Sequence, residues 1–148
     1  VVNGTTVVLE VTKATLTATA NNQSRTYGAT NPAFTISYSG FVNGDTPAVL
    51  DNAPSASSAA TTSSPVGTYP ITVTGGTDNN YNFTYVNGTL TVNKATLTAT
   101  ADNQSRLYGA ANPTFTISYS GFVNGDNSSV INSAPVATTA ATVTSNVG

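Results

Sequence analysis

The 148 residues carry only 7% charged side chains and a net charge of -2, too weak a field to draw in nucleic acid or an acidic membrane surface. No histidine or cysteine is present, which leaves the abundant serines without a credible activating base and rules out a disulfide framework. Apolar residues, 39% of the chain, fall in short alternating runs well below the roughly 18 continuous positions of a membrane helix, so a soluble chain without a targeting segment is expected.

The chain opens on VVNGTTVVLEVT, Val1 to Thr12, which repeats the flavour of YVNGTLTVN before Lys94 with three extra residues. Residues 1-12 therefore read as the closing strand of a preceding repeat or as a donor strand for another chain. Val7, Leu9 and Val11 alternate along it and would form its gripping side.

Lys13 aligns with Lys94, a period of 81, and sixteen of the 55 positions from 13 to 67 differ from their counterparts at 94 to 148. Such self-similarity signals tandem units, here 13-93 and 94-148. Only positions 21, 26, 30 and 33 differ between Lys13 and Asp45. Thr68 to Asn93 has no counterpart in the second copy, which therefore reads as C-terminally incomplete.

Within ATLTATA, Leu16, Ala18 and Ala20 alternate with Thr15, Thr17 and Thr19, the period-two pattern of a half-buried strand. Tyr27-Gly28 and Tyr108-Gly109, followed by Asn31-Pro32 and Asn112-Pro113, read first as turns, with glycine supplying an unusual φ. The alternative is an aromatic surface on Tyr27 and Tyr108 for a host or matrix glycan or protein. Phe34, Ile36 and Tyr38 mark a second strand.

In NGDTPAVLD the pattern predicts Asp45 as a helix N-cap, with Pro47 in the first turn and Val49 and Leu50 plugging an end of the sheet. Asp45 and Asp126 are the acids that recur at equivalent positions, too few for an acid-base pair or a calcium cage, so no metal, cofactor or catalytic residue is assigned. Tyr69, Ile71 and Val73 form another strand, placed at an edge or bulge by Pro70. TDNNYN around Asp78 reads as a loop.

Asn87-Gly88, between the alternating runs of YNFTYVNGTLTV, predicts a hairpin that pairs the last two strands. Lys13, Asp45 and Asn87 are the residues a lysine-asparagine crosslink would use, although a solvated lysine is preferred. Sequons at Asn3, Asn22, Asn82, Asn87, Asn103 and Asn127 are expected by chance in so Asn- and Thr-rich a chain. Each unit thus reads as all-β, about six strands with one short helix, giving tandem Ig-like β-sandwich-type modules with a β-grasp-like arrangement as the competing topology.

KATLTATADNQSRLYGAANPTFTISYSGFVNGD, Lys94 to Asp126, together with PVGTYPITV and VNGTLTV in the first copy, resembles the MBG repeats of the YGX type. The resemblance implies tandem extracellular modules of bacterial surface or secreted proteins, adhesin-like or filament-forming, with no catalytic residues to carry over. The expected role is structural, with neighbouring repeats or subunits as partners.

Overall fold

The computed structural model describes Gly4 and residues 6-148; Val1, Val2, Asn3 and Thr5, and with them the first sequon and the start of the leading segment, lie outside the described residues. Two compact units emerge, one ending at Asn93 and the other spanning Lys94–Gly148. The structure is all-β, with one single-turn 3-10 helix in each unit and no α-helix among the described residues.

The first unit contains β1 (Ala14–Ala20), β2 (Gln23–Thr26), β3 (Ile36–Ser39), β4 (Ser55–Ser57), β5 (Gly67–Thr74), β6 (Tyr81–Val86) and β7 (Gly88–Asn93). They form a three-stranded sheet, order β3-β1-β6, and a four-stranded sheet, order β2-β7-β5-β4. Both sheets contribute to one core: Ala18 and Ala20 of β1, Ile71 and Val73 of β5 and Leu90 of β7 pack together with Ala60. In β1 every second residue, Leu16, Ala18 and Ala20, is buried, so the alternation of leucine and alanine with threonine sets which face turns inward.

The segment from Ala14 to Thr26 runs parallel to the segment from Tyr81 to Asn93. Ala14 faces Tyr81, Thr19 faces Val86, Gln23 faces Leu90 and Thr26 faces Asn93, an unchanging offset of 67 residues. Both segments switch from one sheet to the other at the same level, between Ala20 and Gln23 and between Val86 and Gly88. At that corner Thr89 N–H donates to the Asn22 side-chain oxygen at 2.8 Å, so a side chain continues the ladder where the strands bend.

This topology overturns the expected hairpin. β6 and β7 do not pair with each other; β6 pairs with β1, and β7 with β2 and β5. Gly88 lacks a positive φ, and a Cβ there would stand 2.5 Å from the Ala20 carbonyl oxygen. Its glycine therefore serves close backbone approach at the corner, not a reversal. The reversal that Asn-Gly chemistry favours occurs at Asn43-Gly44, where φ is 55° and 78° and Asp45 N–H donates to Val42 O at 2.9 Å. Asn124-Gly125 repeats it in the second unit.

Asp45 is not a helix cap. Thr46 occupies the cap position of the 3-10 turn Pro47–Val49 without a side-chain bond, and that turn buries none of its residues, so it plugs nothing. The Asp45 carboxylate instead accepts the Tyr81 hydroxyl at 2.7 Å. In the second unit Asn127, not Asp126, caps the turn Ser128–Val130 by accepting from Ser129 N–H at 2.9 Å. Among the described residues no α-helix lies across either sheet to supply the helix of a β-grasp arrangement.

Pro70 lies in β5 opposite Thr89. β4 covers only Thr72 to Thr74 of β5, so the proline falls where that side of the strand is open. The second unit has β8 (Thr98–Ala101) and β9 (Ile117–Ser120), antiparallel and in the register of β1 with β3 one period earlier. Gly88→Ala is expected to destabilise the first unit by about 1–3 kcal/mol through that backbone clash. Urea unfolding checks it; an unchanged midpoint would mean that the corner relaxes freely.

Candidate functional site

The alternating aliphatics of β7 place Leu90 and Val92 inward, 0% and 1% exposed. Leu9 and Val11 stand one period earlier in sequence yet are 85% and 88% exposed, and Val7 is 91% exposed. Residues 6-13 form no strand in this chain. The leading segment thus carries the residue types of a closing strand without a sheet to close.

The surface that such a strand covers is visible in the first unit. β7 lies between β2 and β5, and the parallel ladder runs to its last residue, where Tyr27 N–H donates to Asn93 O at 2.8 Å. In the second unit, residues 104-107, one period after β2, form no strand, and Leu97 is 37% exposed where Leu16 is wholly buried.

Beside β2 lies a polar cluster that strand periodicity did not reveal. Arg25 is 6% exposed; its Nε donates to Asn31 Oδ1 at 2.7 Å, and its terminal amines donate to Thr26 O and Thr61 O. Asn31 Nδ2 closes the ring by donating to Ala60 O at 2.7 Å. A guanidinium suits this site because its rigid fork satisfies several oxygens at fixed angles. Arg106, Asn112, Ala141 and Thr142 reproduce the ring in the second unit. The available signal was an arginine and an asparagine kept at the same spacing in both copies.

The YG pairs are turns. Ala29 N–H donates to Thr26 O at 3.0 Å with Gly28 at φ 86°, and Gly109 repeats the conformation at φ 80°. Tyr27 is half-buried and Tyr108 exposed, and they belong to different units. Asp78 is a loop organiser, as its carboxylate accepts Asn80 N–H and Tyr81 N–H at 2.7 and 3.0 Å. Lys13 Nζ donates to Asp78 O at 2.8 Å.

Asn87 accepts from Val73 N–H and sits beyond Val86, at the end of the β1/β6 pair opposite to Lys13. About six residues of strand, roughly 20 Å, therefore separate Lys13 from Asn87, and the two cannot form a crosslink within the unit. No group of three or more metal-ligating residue types is found among the described residues.

Two side chains in hydroxyl-carboxyl contacts, Tyr81 and Asp102, depart from their ordinary pKa. Burial first, and the hydrogen bond to Asp45 second, raise the Tyr81 hydroxyl above its ordinary value. Asp102 is lowered by hydrogen bonds from Ser118 and Thr116, each at 2.6 Å. Asn21 holds the equivalent place in the first unit, bonded to Ser37 and Thr35.

Because the folded value of Asp102 lies below the unfolded one, about 3.9, its stabilisation is present above that pH and is lost as pH falls through the folded value. Acid titration followed by amide exchange is expected to show this loss in the second unit, and Asp102→Asn to abolish it. For the buried ring, Arg25→Ala should cost about 3 kcal/mol and Asn31→Ala about 2 kcal/mol. The double variant should cost about 1 kcal/mol less than their sum in urea unfolding, because the two residues share a bond.

A family model described as the MBG domain (YGX type) matches residues 16–91 and 97–148. A search of curated proteins and one of solved structures found no match. The two matched segments cover most of both units and include the YG turns, the Asn-Pro steps and the Asn43-Gly44 and Asn124-Gly125 reversals, so the chain belongs to the MBG domain family of the YGX type.

Proposed function

We propose that this chain is a structural segment of a bacterial extracellular stalk or filament, built from Ig-like sandwich-type units that close their sheets with the strand preceding each Lys-Ala-Thr-Leu-Thr motif. The observation that carries this reading is the exposure of Leu9 and Val11 one repeat period before the fully buried Leu90 and Val92. By that correspondence residues 8-12 dock beside the segment equivalent to β2 in a neighbouring unit, either the preceding one in the same array or one in another chain joined head to tail. Main-chain pairing supplies affinity and the two apolar side chains supply register.

In this reading Leu9 and Val11 are the inward residues and Val7 falls at the corner. Val7 stands one period before Gly88, where a side chain meets the backbone at the corner. A charge-poor, threonine-rich surface suits a passive spacer, with few sites for trypsin-like cleavage and little long-range attraction to other macromolecules. Length then grows additively with repeat number. Neither enzymatic activity nor a cofactor enters the proposal.

Binding of a glycan or protein ligand at the YG turns is the second reading, favoured by the 65% exposure of Tyr108. It is weaker at Tyr27, whose main chain belongs to the ladder.

Electron microscopy of the chain across a concentration series tests head-to-tail closure. Fibres or concentration-dependent oligomers are expected, and Leu9→Asp with Val11→Asp should reduce them to single particles. Discrete particles of the parent at every concentration, or fibres that survive the double substitution, would overturn strand donation between chains.

A further inference from the structure

We infer that the first unit is a tension-bearing clamp: pulled by its two ends, it resists through shear of the parallel pair formed by its opening and closing segments. The inference concerns the unit's response to force, and its use in holding up a stalk rests on the reading above.

Tension along a tandem array enters a unit before Ala14 and leaves after Asn93, since the chain passes from Asn93 to Lys94 of the second unit. The entry point, Ala14, lies opposite Tyr81 at one end of the parallel pair, and the exit point, Asn93, lies opposite Thr26 at the other. Force on these points therefore runs along the strands in opposite directions and stretches the cross-strand bonds together. Had the terminal strands been antiparallel neighbours, both points would have met at one end and the bonds would have opened one after another.

Four features suit the pair to this load. Its register is the same at ten paired positions, six before the corner and four after it. Its ends are tied, by Ala14 N–H to Asn80 O and Tyr27 N–H to Asn93 O, both 2.8 Å, and Asn22 bridges the corner. Each load-bearing segment is flanked on its other side, β1 by antiparallel β3 and β7 by antiparallel β5, so neither slides free alone. Lys13, at the entry point, donates to Asp78 O, and Arg25 and Asn31 fasten β2 to the loop at 60-61.

The chain has no cysteine, so introduced thiols give unique attachment points. In single-molecule force spectroscopy of the 148-residue chain, Lys13→Cys with Lys94→Cys loads opposite ends of the pair. Lys13→Cys with Asn79→Cys loads the same end. All three sites are exposed, and Thr12→Cys replaces Lys13→Cys if thermal melting shows that the latter perturbs the fold.

A several-fold higher unfolding force is expected in the first geometry. Equal forces, or a higher force in the second, would overturn the clamp. A directional response from a chain that forms no fibres would leave the clamp standing and count against the filament; fibres with equal forces would do the reverse.

Discussion

The parallel pairing of residues 14-26 with 81-93 is the constraint on which the first unit depends. It joins the first and last segments of the unit and carries both across the corner between the sheets. Its offset of 67 never slips, because the Asn22 side chain accepts a main-chain donor where the strands bend and Gly88 lets the backbone lie against Ala20. The core follows from it, since Ala18 and Ala20 can meet Leu90, Ile71 and Val73 only when the closing segment is in place. A unit whose central contacts span so much of its sequence gains them late in folding, after most of the loop-closure entropy has been spent.

Charge is scarce, yet Arg25 and Asp78 are buried. Arg25 is buried with its donors directed at Asn31 and at the carbonyls of Thr26 and Thr61, and no buried side-chain nitrogen or oxygen among the described residues lacks a partner. The ring recurs around Arg106 with the same 2.7 Å contact to asparagine, although it is more exposed there. It is therefore a local device of the Arg-Thr-Tyr-Gly or Arg-Leu-Tyr-Gly turn and the loop 36 residues later, independent of a closing strand. Tyr81 plays a comparable role at the other end. It packs edge-on against Phe41 at 5.4 Å and fastens the Asn43-Gly44 reversal through Asp45 and Val42.

Repetition is densest in the residues that frame the closing segment. The four differences between Lys13 and Asp45 and their counterparts fall at positions 21, 26, 30 and 33, none of them buried in the first unit. The unchanged remainder holds β1, the arginine ring and the reversal, which together present the surface that the closing segment covers. The proposed tandem closure would need that surface to be the same in every unit, because each closing segment would have to fit it. Nothing in this logic requires a reactive side chain.

The strands with strict alternation, ATLTATA above all, were legible because period-two burial is a local property of residue order. So were the turns at Gly28 and Gly109, where a positive φ selects glycine whatever the rest of the chain does. β2 was not legible, since QSRT has no apolar face and its inward residue is an arginine that becomes tolerable only among distant acceptors. Asn87-Gly88 misled for a related reason: glycine permits both a reversal and a close backbone approach, and local sequence does not say which. Residue order by itself determined the tandem unit, the faces of its alternating strands and the turns at Gly28 and Gly109. Tertiary structure alone decided that the first and last segments run side by side in parallel, because strand partners 67 residues apart are chosen by which pairing buries both sheets at once.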